Sequence, residues 1–146
     1  MSTANGQSVQ SDVLDTVVAR LQAASLNAFR CRFTPFSDSE LPAINVLPAD
    51  EEFEYQDSAS VEELFHFDVR HVVSTIDAAD KAADAQYILA ARALLADITL
   101  GGTVRTLRLK KKKPEMEQGE KQYMALVVTY ETEFSSTRSD PSVASF

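Results

Sequence analysis

Apolar residues recur at helical spacing between Ser11 and Ser25, where Leu14, Val17, Val18 and Leu21 define one stripe. Ser11 stands at the N-cap position, and Asp12 and Asp15 fall where the helix dipole favours negative charge. Phe29 to Phe33 alternates large apolar residues with arginine, and Leu41 to Pro48 is an apolar run bracketed by prolines. Both predict strands, the second short or at an edge because proline gives a ladder no donor. The clearest strand is Leu64 to Ser74: Phe65, Phe67, Val69, His71 and Val73 point one way and His66, Asp68 and Arg70 the other. From Asp77 to Thr99 the period changes. Tyr87, Ala91, Leu94, Leu95 and Ile98 share a helical stripe, alanines raise helix propensity, and Gly101-Gly102 ends the element. Two further strands, Thr103 to Lys112 and Gln122 to Phe134, predict a hairpin across the segment Lys113 to Lys121. In its second strand Met124, Leu126, Val128 and Tyr130 face one side, and Thr129, Glu131 and Glu133 the other.

The order helix, three strands, helix, two strands predicts an α+β fold: a mainly antiparallel sheet with two helices packed on one face. The 146 residues suit one domain. Residues 1–10 and 135–146, rich in small and polar types, are expected to be flexible arms around a single domain at 11–134. Cys31 is the only cysteine, so no internal disulfide can form and a reducing compartment is expected. No apolar run reaches the roughly 18–20 residues that span a bilayer, and Met1 to Gln10 is polar and uncharged, unlike a secretory signal, which predicts a cytosolic protein.

Candidate chemistry is sparse. Four glycines build neither a dinucleotide fingerprint nor a phosphate loop. A net charge of −8 argues against a dedicated nucleic-acid binder. His66 and Asp68, two apart on one strand face with Arg70 beside them, could give a metal two ligands, but a catalytic zinc takes about three from the protein. His71 on the apolar face predicts a hydrogen-bonded core histidine. Cys31 lies between Arg30 and Arg32; alternation turns those cations to the opposite face and predicts a buried, inert thiol beside Phe29 and Phe33. Asp50, Glu51, Glu52, Glu54 and Asp57 are too crowded for a tuned acid–base pair and read as an acidic loop with Phe53 and Tyr55 interleaved. Asp77, Asp80 and Asp84 lack the glycine and terminal glutamate of a calcium loop and decorate the start of a helix.

Charge is strongly segregated. Asp38 to Asp68 holds ten acidic residues and no Lys or Arg, whereas Val104 to Lys113 holds six basic residues and no acidic one. Complementary patches at different places on one subunit make a head-to-tail contact, which closes into a ring or grows into a filament. The expected interface joins Asp50, Glu51, Glu52 and Glu54 of one copy to Arg105, Arg108, Lys110, Lys111, Lys112 and Lys113 of the next.

Over residues 13–140 the chain resembles the tail terminator, or tail completion, proteins of long-tailed bacteriophages, similar to the minor tail protein U of lambda-like phages. The resemblance rests on the N-terminal helix, Leu41-Pro-Ala-Ile-Asn-Val, Phe65-His-Phe-Asp-Val-Arg-His-Val-Val, and the alanine-rich helix to Ala93-Leu-Leu-Ala-Asp. It continues through the Leu100-Gly-Gly turn and Leu126-Val-Val-Thr-Tyr-Glu-Thr-Glu, with Asp140-Pro near the end. It implies a structural virion protein of α+β fold that forms a hexameric ring, caps the tail tube, ends its polymerisation and presents a surface for head joining. The implied partners are further copies of itself, the tail tube protein and the head–tail connector. It implies no catalytic residue, cofactor, metal, membrane or specific nucleic-acid contact, although DNA would pass through the ring. The location implied is the virion tail, assembled in the host cytoplasm. Lys110 to Lys113 match no family motif. Two alternatives are another ring protein of the phage neck or tail tube, and a small cytosolic metal-dependent enzyme built on His66 and Asp68.

Overall fold

The computed structural model describes residues 8–55, 60–74, 78–117, 123–137 and 140–144. Helix α1 (Val9–Ala23) is followed by β1 (Ala28–Arg30), a short 3-10 turn (Asp38–Glu40), β2 (Ala43–Tyr55) and β3 (Ser60–Ser74). Helix α2 (Ala79–Leu95), β4 (Thr106–Glu117), β5 (Tyr123–Thr137) and β6 (Asp140–Ala144) complete the chain. The sheet order is β1-β2-β3-β5-β4, with β6 on the end of β5. Every pairing is antiparallel except β1 with β2. Both helices pack on one face, so the fold is the expected α+β arrangement.

Alternation accounts for the core. Phe65, Phe67, Val69 and Val73 from β3 meet Leu126, Val128, Tyr130 and Phe134 from β5, with Phe67 and Tyr130 stacked at 5.3 Å between ring centroids. Val13, Val17 and Leu21 of α1 cover Ile44 and Val46. The buried stripe of α2 is rotated from the expected one: Ala83, Gln86, Ala90, Ala91 and Leu94 face the sheet, while Tyr87 and Leu95 are partly buried and Ile98 is exposed beyond the helix end. Alanines let the helix backbone approach the sheet, and Gln86 can then reach His71, whose Nδ1 lies 2.9 Å from its Oε1. His71 is therefore the hydrogen-bonded core histidine expected. Burial pushes its pKa down to about 4, against the opposing effect of the Gln86 bond.

The turn after α2 uses left-handed backbone at Leu100, Gly101 and Gly102. Asp97 anchors it, accepting from the backbone N–H groups of Thr99 and Gly101 and from Arg20 of α1 at 3.0 Å. Hydrogen bonds from the Thr99 side chain and Arg20 hold its carboxyl well below the usual range.

Several expected boundaries move. Ser8, not Ser11, caps α1, its hydroxyl accepting from the Ser11 N–H. Val9 is buried and Gln10 donates into the core edge, so Val9 and Gln10 belong to the helix and not to the expected arm; Met1 to Gln7 lie outside the described residues. At the other end β5 continues past Phe134 through buried Ser135 and Ser136, and β6 pairs with it, so 135–137 and 140–144 are strand where a flexible arm was expected; 138–139 and 145–146 lie outside the described residues. β1 stops at Arg30 because Cys31 takes φ 46°, which breaks the alternation. Cys31 is consequently half-buried and Phe33 is 89% exposed, not the buried cluster expected. Arg32 instead stacks over the rings of Phe29 and Phe36 and pairs with Glu40 at 2.5 Å, while Asn45 bonds its backbone on both sides. The largest correction is β2. The expected strand ended at Pro48, but pairing to β3 resumes after an irregularity between Pro48 and Glu51 and runs to Tyr55. Asp50, Glu51, Glu52 and Glu54 thus lie on a strand, not on a loop; Asp57 falls outside the described residues.

Candidate assembly surface

The sheet face away from the helices is polar and carries most of the residues singled out by charge. Strand parity puts Glu52 and Glu54 of β2, Glu62, His66, Asp68 and Arg70 of β3, Thr129, Glu131 and Glu133 of β5, and Arg108, Lys111 and Lys113 of β4 on this face. At its centre, buried Glu131 accepts from Arg108 Nε at 2.6 Å and from Lys110 at 3.2 Å, and its Oε2 lies 2.6 Å from His66 Nε2. The His66 bond, then those from Arg108 and Lys110, outweigh burial and hold the Glu131 carboxyl down to about 2.

His66 Nδ1 lies 3.1 Å from the Asp50 carbonyl, so both ring nitrogens face acceptor oxygens. Asp68 accepts from the Thr129 hydroxyl at 2.7 Å. Among the described residues no cluster of three potential ligands is arranged to hold a metal. With both His66 nitrogens engaged, the pair His66 and Asp68 is part of a cross-strand polar network, not an open two-ligand site.

The expected interface divides into two sets. Arg105 lies 3.6 Å from both Glu62 and Glu133, Arg108 pairs with Glu131, and Lys110 pairs with Glu131, all within one subunit. Their charge is largely spent at home. Glu51 turns to the helix side, where Gln10 donates to both Glu51 and the fully buried Glu63. Burial raises the carboxyls of Glu51 and Glu63, and Glu51 adds to the effect on Glu63. Asp50, Glu52 and Glu54 on β2, and Lys111 and Lys113 on β4, remain exposed with no ion pair among the described residues. Lys112 turns to the helix side, its Nζ 4.7 Å from the Tyr87 ring centroid.

β2 and β4 stand three strand spacings apart, roughly 14 Å, so their free charges do not neutralise each other within the subunit. A shallow groove between them is lined by Asp50, Glu52, His66, Asp68, Lys111 and Lys113. Sequence reasoning missed Glu63 and Gln10, which only the docking of α1 brings together, and it missed the exposure of Ile88 and Leu89 on α2 and of Leu109 and Met116 on β4; Phe53, expected in an acidic loop, is exposed on the helix side of β2. Strand parity would have placed Phe53 had the segment been read as a strand.

Neither a protein-family model nor a curated protein matches the chain.

Proposed function

We propose that this chain is a structural virion protein, a ring-forming tail terminator that caps the tail tube of a long-tailed phage, ends tube polymerisation and offers a surface for head joining. The observation that supports it best is the separation of unneutralised charge: acidic Asp50, Glu52 and Glu54 at one side of the sheet, basic Lys111 and Lys113 at the other. A surface divided in this way favours head-to-tail self-association, the geometry of closed rings. The family resemblance supplies the ring number, six, and the partners, namely tail tube protein and head–tail connector. The physical role follows from the tube itself. An open tube end is a template for the next ring, and a cap with a different outer surface stops addition. A second reading, another ring protein of the phage neck or tube, shares this geometry. The metal-enzyme reading is not favoured, because His66 and Asp68 are both occupied by neighbouring side chains.

Electron microscopy of lysates from a phage lacking this gene tests the proposal. The expected result is tails of unregulated length, unattached to heads. Tails of normal length on filled heads would overturn it, and co-sedimentation of purified protein with tube ends separates the terminator from other ring proteins.

A further inference from the structure

We infer that neighbouring copies join edge to edge, β2 of one copy pairing antiparallel with β4 of the next, so that the sheet continues through the assembly. This deepens the ring reading by specifying its contact. The sheet has two long bare edges among the described residues. β1 covers only Ile44 to Val46 of β2, leaving Leu47 to Tyr55 open, and β4 pairs on one side alone, with β5. Open ladders recruit strands, and like charge along an edge is a common guard against it. Here the guards differ in sign. A β4–β4 contact sets lysines against lysines and a β2–β2 contact sets carboxylates against carboxylates, which leaves β2 against β4 as the permitted combination.

Direction and face also agree. β2, β3, β5 and β4 alternate in direction, so β4 of one copy runs antiparallel to β2 of a copy placed beside it with its helices on the same side. On that helix side β2 exposes Phe53, 54% accessible, beside Glu51. β4 exposes Leu109, 40% accessible, next to an apolar groove formed with Tyr87, Ile88 and Leu95 of α2. Setting Phe53 opposite Leu109 places Glu54 against Arg108. Across the irregularity between Leu109 and Lys111 the same register sets Glu52 against Lys111 and Glu51 against Lys112. One register therefore matches apolar with apolar on the helix side and, on the polar face, sets Glu52 against Lys111, neither of which has an ion pair among the described residues of its own subunit. Within its own subunit Phe53 is level with Phe134, one position beyond the Thr106–Glu133 pair. The contact thus steps each copy by about four residues, roughly 13 Å. Such a stagger is what closing a sheet into a barrel requires.

Charge reversal tests the contact. The variants Asp50→Lys/Glu52→Lys and Lys111→Glu/Lys113→Glu reverse the two facing pairs Glu52–Lys111 and, one step on, Asp50–Lys113, and alter exposed side chains only; circular dichroism with thermal melting checks that each folds. By light scattering the wild type is expected to be oligomeric, each variant alone monomeric, and an equimolar mixture oligomeric again, because every junction in the mixture joins opposite charges. In the assembled wild type, amide exchange at Glu52 to Glu54 and Leu109 to Lys113 is expected to slow at least tenfold relative to the dilute monomer. Folded variants that assemble like wild type, a mixture that stays monomeric, or unchanged exchange at both edges would overturn edge pairing while leaving a ring built by another contact. A wild type that is monomeric at every concentration would overturn the edge pairing and the self-assembling ring together.

Discussion

His66 and Glu131 face each other across β3 and β5 with Nε2 and Oε2 2.6 Å apart, and both side chains are nine-tenths buried. This contact, with Arg108 and Lys110 closing over the same carboxylate, ties three strands together from the face the helices leave bare. Hydrogen bonds to charged groups stabilise by about 1.5–3 kcal/mol, so Glu131→Gln is expected to cost about 2 kcal/mol near neutral pH in a denaturant titration. Because the folded-state pKa of Glu131 is depressed to about 2, its contribution is present above the ordinary glutamate value and is lost as pH falls through that window. The variant should therefore flatten the acid limb of the stability curve between about pH 4.5 and pH 2.

His71 acts in a higher window. Its pKa is lowered from 6.5 to about 4 by burial, so the unfolded chain binds a proton there more readily than the folded one. Stability should rise as pH increases from about 4 to 6.5, by an amount on the order of 3 kcal/mol. Denaturant midpoints measured across this range for wild type and His71→Gln check it; the variant should lose most of the slope in that interval.

Glu63 works in the opposite sense. It is fully buried, with one carboxylate oxygen lacking a partner among the described residues, and burial, with Glu51 nearby, raises its folded pKa. Ionising it opposes folding, so Glu63→Gln is expected to stabilise the protein by about 1 kcal/mol at pH 7. The gain should vanish as pH falls and the native carboxyl takes up its proton. Thermal melts at neutral and acid pH separate this from a simple packing effect.

Tyr130 gives a prediction of near neutrality. Its ring stacks on Phe67 in the centre of the core, but its hydroxyl is buried with no hydrogen-bond partner among the described residues, and burial pushes its pKa up. Tyr130→Phe keeps the ring and removes an unsatisfied polar atom, so the melting temperature should stay level or rise, with a gain of up to about 1 kcal/mol. A loss above that size would show that the hydroxyl is satisfied in solution.

The fold class, the two helices on one face, the pairing of β4 with β5, and the faces of β3 and β5 were all legible in the order of residues. Each is an element whose period repeats long enough that one set of side chains must be buried together. Leu64 to Ser74 is the clearest example, and His71 was legible as a core histidine on the same ground. The segment from Asp50 to Tyr55 was not legible in this way. Its local composition, acidic and following a proline, reads as a solvated loop, yet cross-strand pairing to Val61 to Phe65 holds it extended. The same holds for Cys31, where one left-handed residue cancels an alternation that composition alone would continue. The candidate interface shows both sides of this division. Segregated charge was readable from the order of residues, but which charges are free was not, because Arg105, Arg108 and Lys110 are neutralised by Glu62, Glu131 and Glu133. Those partners lie on other strands, more than twenty residues away in the chain for Glu131, and only sheet register brings Glu131 within a hydrogen bond and Glu62 and Glu133 within an ion pair.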